Sequence, residues 1–355
     1  MADGDLVSLP RMAGRDTVNL YSDTQTRPGE EMRAAMATAP VGDEQRRLDP
    51  TVNALQERVA AILGQEAALF LPSGSMCNQI AIRLHTRPGG DELYTHVSSH
   101  PIVAEAGGLA AISGALAFPL GGEGGIFSGA DLEAAMRDPS DRHQPRSRLV
   151  SVEQTTNMGG GRVWSQSQID EVLAVAARHS LRTHLDGARL LNAVVASGVG
   201  AADYARGFDT AWIDFSKGLG APVGACHAGS AATIEEAWRY KQMLGGAMRQ
   251  AGIVAAGALW ALDHNVERLA EDHANARLLA EGLAAIEGVD LDPAAVETNI
   301  VIFGVADPGG LVEALAAGGV EMAAFGPNVR AVTHLDVDRA GVERAVAAVA
   351  AALDA

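Results

Sequence analysis

Short apolar runs alternate with amphipathic segments along most of this chain, and this alternation constrains the fold more than any other feature. From about residue 50, helical periodicity repeatedly gives way to runs typical of buried strands. The pattern favours a mostly parallel sheet covered by helices, because parallel strands need a long crossover connection. The predicted strands of this α/β fold are AALFL (67–71), LAFPL (116–120), RLVSV (148–152), RTHL (182–185), AWIDF (211–215) and VGACHA (223–228).

One helix is marked at both ends by the sequence. Asp49 offers an N-cap and Pro50 suits the first helical turn, and Gly64 provides a stop. Between them the apolar residues recur at helical spacing: Val52, Leu55, Val59, Ile62 and Leu63. A second helix is predicted from about Met76, after the turn PSGS.

The chain of 355 residues is longer than one compact core usually allows, so two packed units are expected. A long helical pattern follows Met248, and the chain then changes character near residue 260. We predict an N-terminal extension over 1–18, a large domain over 19–260 and a smaller α/β domain over 261–355. The small domain is predicted to contain strands at 297–305 and 329–335 and helices at 310–319 and 341–353.

The charge balance limits the partners. A formal net charge of -17 disfavours nucleic acid and anionic membrane surfaces, which both need a basic face. The first residues show no signal-peptide pattern and no apolar run reaches the length of a membrane span, so a cytoplasmic protein is expected. The two cysteines, Cys77 and Cys226, form no metal-binding or disulfide pattern, and we predict no metal site.

Asp186 and Lys217 form the central pair of candidate catalytic residues. They stand 31 residues apart, each at the end of a predicted strand, where ligands gather in α/β sheets. A lysine can hold pyridoxal 5′-phosphate as a Schiff base, and an aspartate can keep the ring nitrogen protonated so that the ring accepts electrons from Cα. The turn LPSGSMCNQ adds Gly74 and Ser75 at a helix N-terminus, which suits a phosphate.

Several motifs, in order along residues 19 to about 350, resemble those of one family. They are NLYSDTQTRP, LPSGSMCNQ, HLDGAR, FSKGLGAPVG, MLGGAMRQAG, ETNIVIF and VRAVTHLDV. The chain resembles a threonine aldolase of the family shared with the aromatic β-eliminating lyases. That resemblance implies the aspartate aminotransferase fold, with a mostly parallel seven-stranded sheet, and pyridoxal phosphate as cofactor.

The resemblance also implies roles for single residues. Lys217 corresponds to the Schiff-base lysine and Asp186 to the partner of the ring nitrogen. The remaining cofactor residues are implied to be Gly74 and Ser75 at the phosphate, His100 against the ring, and Arg249 reaching a neighbouring subunit's phosphate. The substrate residues are implied to be Ser22, Arg189 and Arg330 at the carboxylate, and His143 near the β-substituent. His96, His184, His227 and His334 are expected to be structural.

Three positions depart from the family pattern. Arg46 stands where the family has a tyrosine that borders a neighbour's pocket, Thr156 replaces a histidine, and Tyr21 replaces an arginine. A guanidinium at position 46 would favour an anionic substrate group, or it could be a surface charge. Arg47, its neighbour, is open to the same two interpretations.

The resemblance implies cleavage of L-β-hydroxy-α-amino acids to glycine and an aldehyde by retro-aldol chemistry. An alternative is β-elimination to pyruvate and ammonia, because EQTTNMGGGRV also resembles a stretch of tyrosine phenol-lyase. The histidine that Thr156 replaces is the main support for this alternative. A non-catalytic binding protein of the same fold is a third alternative. The resemblance further implies a homo-oligomer, dimer or homotetramer, with active sites shared between subunits.

Overall fold

The computed structural model describes residues 17–354. Its helices are α1 (Glu30–Ala37), α2 (Pro50–Leu63), α3 (Gly74–His85), α4 (His100–Val103), α5 (Gly129–Ala135), α6 (Gln166–Arg178), α7 (Leu190–Ser197), α8 (Ala201–Ala205), α9 (Ala231–Met243), α10 (Gly252–His264), α11 (Leu269–Ala284), α12 (Pro308–Ala317) and α13 (Arg339–Leu353). Its strands are β1 (Val18–Asn19), β2 (Ala67–Leu71), β3 (Asp91–His96), β4 (Leu116–Leu120), β5 (Arg146–Glu153), β6 (Arg182–Asp186), β7 (Thr210–Asp214), β8 (Ala225–Gly229), β9 (Ile300–Gly304), β10 (Val320–Glu321), β11 (Ala323–Phe325) and β12 (Asn328–Val332).

A seven-stranded sheet forms the centre of the molecule, in the order β2-β8-β7-β6-β5-β3-β4. Within this sheet β8 alone runs antiparallel to its neighbours. The expected α/β fold with a mostly parallel seven-stranded sheet is therefore confirmed. Because β5, β6 and β7 are parallel, their last residues, Glu153, Asp186 and Asp214, lie along one edge of the sheet.

One strand of this sheet, β3, does not follow the apolar pattern. Four of the six residues in its sequence DELYTH are polar or charged, yet all six residues are buried. Three of its polar groups have partners elsewhere: Asp91 pairs with Arg146, Glu92 with Arg137, and the Tyr94 hydroxyl with Ser147. Those partners come from distant parts of the chain, so the strand cannot be recognised from its own residues.

The helix boundaries agree with the sequence at α2 and differ further on. The Asp49 side chain accepts from the backbone N–H of Thr51 and Val52, and Gly64 closes α2 in the left-handed conformation. Helix α3 begins at Gly74, two residues before the predicted start. The long helical pattern after Met248 is interrupted between α10 and α11.

A second core lies under a three-stranded antiparallel sheet in the order β11-β12-β9, together with α11, α12 and α13. Strand β1 pairs in parallel with β10, so Val18 and Leu20 pack into this second core. Residues 1–16 of the predicted N-terminal extension lie outside the described part of the chain. The domain boundary near residue 260 stays a prediction. In α11, Leu269 packs in the core of the central sheet, whereas Ala276 packs in the second core.

Across residues 17–354, none of the helices combines the length and the apolar character needed to cross a membrane.

Candidate active site

A cleft of about 670 Å³ opens where the sheet edge carrying Asp186 meets the start of α3 and strand β12. Eight of the residues predicted from sequence line it: Ser22, Gly74, Ser75, His100, Asp186, Arg189, Lys217 and Arg330. They come from segments far apart along the chain, which only the tertiary fold brings together. A polar cleft at the carboxyl ends of parallel strands is the usual ligand site of such sheets.

Lys217 follows β7 by three residues and places its amine in the cleft. Its Nζ lies 2.8 Å from Asp214 Oδ2, and its side chain is 18% exposed. The Thr26 hydroxyl donates to the Lys217 carbonyl oxygen at 2.8 Å, which fixes the backbone of this turn. The chain contains only two lysines, and the other, Lys241, is fully buried against Glu44. Lys217 is therefore the lysine that a carbonyl cofactor can reach.

Asp186 ends β6 and is 1% exposed. Its two carboxylate oxygens accept from Asn78 Nδ2 at 2.8 Å and from the backbone N–H of Ala188 at 3.0 Å. Burial raises the pKa of this carboxyl. Within residues 17–354 no basic side chain reaches ion-pair distance of it, so the carboxylate is free to meet a cationic ring nitrogen.

His100 begins the short helix α4 and faces the cleft. Its Nδ1 lies 2.8 Å from Oε1 of the buried Glu105, and its backbone N–H donates to Glu153 Oε2 at 3.1 Å. The hydrogen bond to Glu105 raises the pKa of His100 above its ordinary value. With Nδ1 held in this way, Nε2 is the nitrogen available for proton transfer.

The start of α3 can hold a phosphate. Gly74 and Ser75 lie in the first turn, and the Ser73 side chain caps the helix by accepting from Met76 N–H. A Cβ at Gly74 would lie 2.3 Å from the Trp212 ring, so only glycine lets the helix approach this closely. Ser216, whose hydroxyl donates to Asp214, lines the same end of the cleft.

Two buried arginines form the opposite end of the cleft. Arg189 donates from Nε and Nη2 to both oxygens of Asp23, each at 2.7 Å. Burial acts to raise the pKa of Asp23, but Arg189 outweighs it and the pKa lies well below the ordinary value. Arg330 donates to Asn157 Oδ1 at 2.8 Å, and its buried Nε has no partner in the described structure. Burial lowers the pKa of Arg330 to about 10, which leaves it a cation.

Several residues of the cleft were not singled out from the sequence. Asn157 accepts from both arginines, and its backbone N–H donates to Glu153 at 2.7 Å. Burial and the neighbouring Asp186 raise the pKa of Glu153 to about 7. The motif EQTTN contains both Glu153 and Asn157, and its position directly after a predicted strand was the signal that could have identified them.

Other predicted residues do not reach the cleft of their own chain. His143 lies exposed in the turn before β5, whereas the cleft lies at the far end of that strand, at Glu153. Arg249 is also exposed, with Nη1 3.3 Å from Asp43. The roles predicted for His143 and Arg249 therefore stay predictions, and the role of Arg249 concerns a neighbouring subunit.

The Thr156 hydroxyl donates to the Gly124 carbonyl oxygen at 2.8 Å, on the far side of EQTTN from the cleft. Arg46 is exposed on a single turn of 3-10 helix, and Arg47 pairs with Glu235 at the surface.

Taken with the central sheet, these groups define a pyridoxal phosphate enzyme of the aminotransferase fold class. Lys217 can hold the cofactor's aldehyde carbon, Asp186 its ring nitrogen, and Gly74 and Ser75 its phosphate. Arg330, a cation that lines the cleft, remains for a substrate carboxylate. The residues present therefore fit the cofactor that the sequence predicts.

A family model described as beta-eliminating lyase matches residues 19–306. A relative from Arabidopsis thaliana, named low-specificity L-threonine aldolase 1, is 41% identical over 293 residues, which cover 82% of each chain. The low specificity L-threonine aldolase of Escherichia coli K12 is 39% identical over 322 residues, 91% of this chain and 95% of that one. The chain belongs to the β-eliminating lyase family. This membership confirms the sequence-based predictions of family, lyase class and pyridoxal phosphate.

Solved structures agree with this fold. The threonine aldolase of Leishmania major matches with a TM-score of 0.78 at 20% identity, over 93% of this chain and 98% of that chain. A serine palmitoyltransferase from Sphingomonas wittichii matches with a TM-score of 0.75 at 18% identity, over 95% and 87% of the two chains. At these identities the likeness shows the aminotransferase-type fold alone.

Proposed function

We propose that this chain cleaves L-β-hydroxy-α-amino acids of the threonine class between Cα and Cβ, giving glycine and an aldehyde. The observation that carries the proposal is the convergence of Lys217, Asp186, His100 and Arg330 on one cleft. The relatives at about 40% identity, which are named low-specificity L-threonine aldolases, support the same reaction.

The cofactor would be held at three points. Lys217 would join its aldehyde carbon, Asp186 would pair with the ring nitrogen, and the first turn of α3 would bind the phosphate. When bound, pyridoxal phosphate withdraws electrons from the Cα of an attached amino acid. Asp214 holds the Lys217 amine 2.8 Å away, so the nucleophile is positioned before any ligand arrives.

Substrate orientation would depend mainly on Arg330. Arg330 lines the cleft and remains a cation, so a carboxylate bound there would gain charge-assisted hydrogen bonds from its guanidinium. Arg189 is already bound by Asp23 through two donors and contributes its remaining N–H groups. Fixing the carboxylate would orient the substrate so that its Cα–Cβ bond is the bond presented for cleavage.

His100 is the group placed to accept the proton of the β-hydroxyl. Glu105 holds Nδ1, so Nε2 faces the cleft as the base, directly or through a water molecule. As the hydroxyl loses its proton the carbonyl of the aldehyde forms and the Cα–Cβ electron pair remains on the Cα side. A proton delivered to Cα then gives glycine.

β-Elimination is the second candidate, and the description of the matching family as beta-eliminating lyases favours it. It removes a proton from Cα and a leaving group from Cβ, and it yields a 2-oxo acid and ammonia. Its sequence support was the histidine replaced by Thr156, but Thr156 turns towards Gly124 and does not line the cleft. The replacement therefore gives elimination no support from the cleft geometry.

The quaternary state and the location belong to the same proposal. We propose a cytoplasmic homotetramer, or a dimer, in which Arg249, His143 and Arg46 of one chain approach the cleft of another. The exposure of all three residues in the single chain is compatible with this arrangement. A preference for anionic β-substituents through Arg46 depends on it.

The test is product analysis with a panel of β-hydroxy-α-amino acids, in which glycine and 2-oxo acids are quantified separately. The proposal predicts one glycine per aldehyde, from L-threonine and related substrates, with little 2-oxo acid. Release of 2-oxo acid and ammonia without glycine would replace the proposal by β-elimination. Absence of any turnover with cofactor bound would favour the non-catalytic alternative.

A further inference from the structure

Asn78 is a buried amide on α3 that lies between Asp186 and Glu105, the partner of His100. Its Nδ2 donates to Asp186 Oδ2 at 2.8 Å and to Glu105 Oε1 at 2.9 Å. Glu105 in turn holds His100 through Nδ1. One side chain therefore connects the Asp186 carboxylate with Glu105, the residue that orients His100.

The orientation of this amide is fixed by Trp212. The indole Nε1 donates to Asn78 Oδ1 at 2.9 Å, and an indole N–H can only donate. The oxygen of the amide must therefore face Trp212, and both of its hydrogens must face the two carboxylates. A reversed amide would set N–H against N–H and oxygen against two carboxylates.

The hydrogen bonds beyond Asn78, which involve His184, Thr210 and His85, keep its amide in this orientation. Burial lowers the pKa of His184 well below its ordinary value, so the ring is neutral. Its Nε2 lies 3.2 Å from Asn78 Oδ1, an acceptor, so this nitrogen carries the hydrogen. Nδ1 then accepts from the Thr210 hydroxyl at 2.8 Å, and Thr210 accepts from His85 Nε2 at 2.9 Å. Each hydrogen bond in this buried series therefore has a defined donor and a defined acceptor.

We infer that Asn78 is a positioning residue that fixes the Asp186 carboxylate, which would pair with the cofactor's ring nitrogen, and that fixes the His100 imidazole through Glu105. This inference rests on the proposed function and adds a residue to it. All four hydrogen-bonding positions of the amide are used, two of them on catalytic partners. Among the described residues, Asn78 is the side chain that hydrogen-bonds to both Asp186 and Glu105.

The hydrogen bond also acts on the ionisation of Asp186. Burial raises the pKa of this carboxyl, and the Asn78 amide opposes that rise by stabilising the ionised form. The other ionisable groups that face Asp186 are His100, Lys217, Glu153 and the Cys77 thiol. Without Asn78 the carboxyl would take up a proton at higher pH and would lose its attraction for a cationic ring nitrogen.

The experiment compares Asn78→Leu and Asn78→Asp with Gln79→Leu. Gln79 is the adjacent buried amide, and it also donates to Glu105 but not to Asp186. Cofactor is removed from each protein, and pyridoxal phosphate is titrated back while visible absorbance is followed across pH. We expect Asn78→Leu to bind the cofactor at least about tenfold more weakly and to lose it at higher pH than wild type on acidification. Gln79→Leu should keep both properties close to wild type.

Asn78→Asp is nearly isosteric and keeps an oxygen that accepts from Trp212. It therefore keeps the inference testable if Asn78→Leu fails to fold. In its ionised form the introduced carboxylate would repel Asp186, but in its protonated form it can donate to Asp186. The deficit in cofactor affinity of this variant should therefore shrink as pH falls. Wild-type affinity in both Asn78 variants, or an equal loss in Gln79→Leu, would overturn the inference. Failure of the wild-type chain to bind pyridoxal phosphate would overturn the proposed function as well.

Discussion

The Lys217 amine is held in place by the residues around it. Asp214 holds the amine, and Trp212 lies beneath it with the ring centroid 5.5 Å from Nζ. We predict that Lys217→Ala abolishes turnover and the visible absorbance of bound cofactor, because no other lysine reaches the cleft. The side chain packs little, so circular dichroism and thermal unfolding should stay close to wild type. Residual turnover at the wild-type rate would show that another group holds the cofactor.

His100 gives the reaction a predictable pH dependence. Because Glu105 raises its pKa, the neutral imidazole that accepts a proton forms only above the ordinary histidine range. kcat/KM should therefore rise with pH through a value above 6.5, and Glu105→Gln should move that rise to lower pH by removing the charge. The pH profiles of both proteins, measured on L-threonine, check this. An unshifted profile in Glu105→Gln would exclude His100 as the titrating base.

Among the secondary-structure elements, a buried ion pair connects the segment after α1 with the last turn of α9. Lys241 and Glu44 are both fully buried, with Nζ 2.9 Å from Oε2, and Glu44 also accepts from Met248 N–H. Burial lowers the pKa of Lys241, and Glu44 counteracts this. The pair holds the loop that carries Arg46 against the loop that carries Arg249.

We predict that Glu44→Gln lowers the free energy of unfolding by about 3 kcal/mol, because a buried ammonium loses its counter-charge. The deficit should shrink as pH rises, since Lys241 in the folded protein then gives up its proton before it does so in the unfolded chain. The control is Glu235→Gln at the exposed Arg47 pair, where less than about 1 kcal/mol is expected. Chemical denaturation at two pH values measures both, and equal losses would contradict the assignment.

The elements that the sequence predicted are those whose own residues carry the pattern. Helix α2 has its cap, its apolar spacing and its stop close together along the chain, and strands such as β7 are largely apolar runs. Strand β3 was missed because its burial depends on arginines far along the chain. The interruption between α10 and α11 was missed because the helical pattern continues across it.

The residues of the site also divide into those that their own sequence context predicts and those that it does not. The positions of Lys217 and Asp186 were predictable because Asp186 ends β6 and Lys217 closely follows β7, and parallel strands bring their ends together. Asn78, Glu105 and Asp23 were not, because their importance lies in hydrogen bonds to other residues of the site. His143 precedes the same strand whose other end reaches the cleft, so no single chain can use it there.

At the scale of the whole molecule, the proposed sharing of sites between subunits has a direct test. Lys217→Ala and Arg249→Ala should each be inactive or nearly so, but a mixture should recover activity if one chain supplies Arg249 to the site of another. After random exchange into dimers, about half of the dimers would be mixed, and each mixed dimer would contain one intact site out of two. Activity would therefore recover to about a quarter of the wild-type value. Subunit exchange is checked with labelled chains, and exchange without recovery would mean that each cleft works alone.

The central claim is that pyridoxal phosphate is held at Lys217 in the cleft of this chain. Its most direct measurement is borohydride reduction of the purified enzyme with cofactor, followed by peptide mass mapping. Since the chain has only two lysines, the mapping has two lysine outcomes. The account predicts that the reduced cofactor is attached to Lys217 and that activity is lost in proportion to labelling. Attachment at Lys241, or full labelling with activity retained, would contradict it.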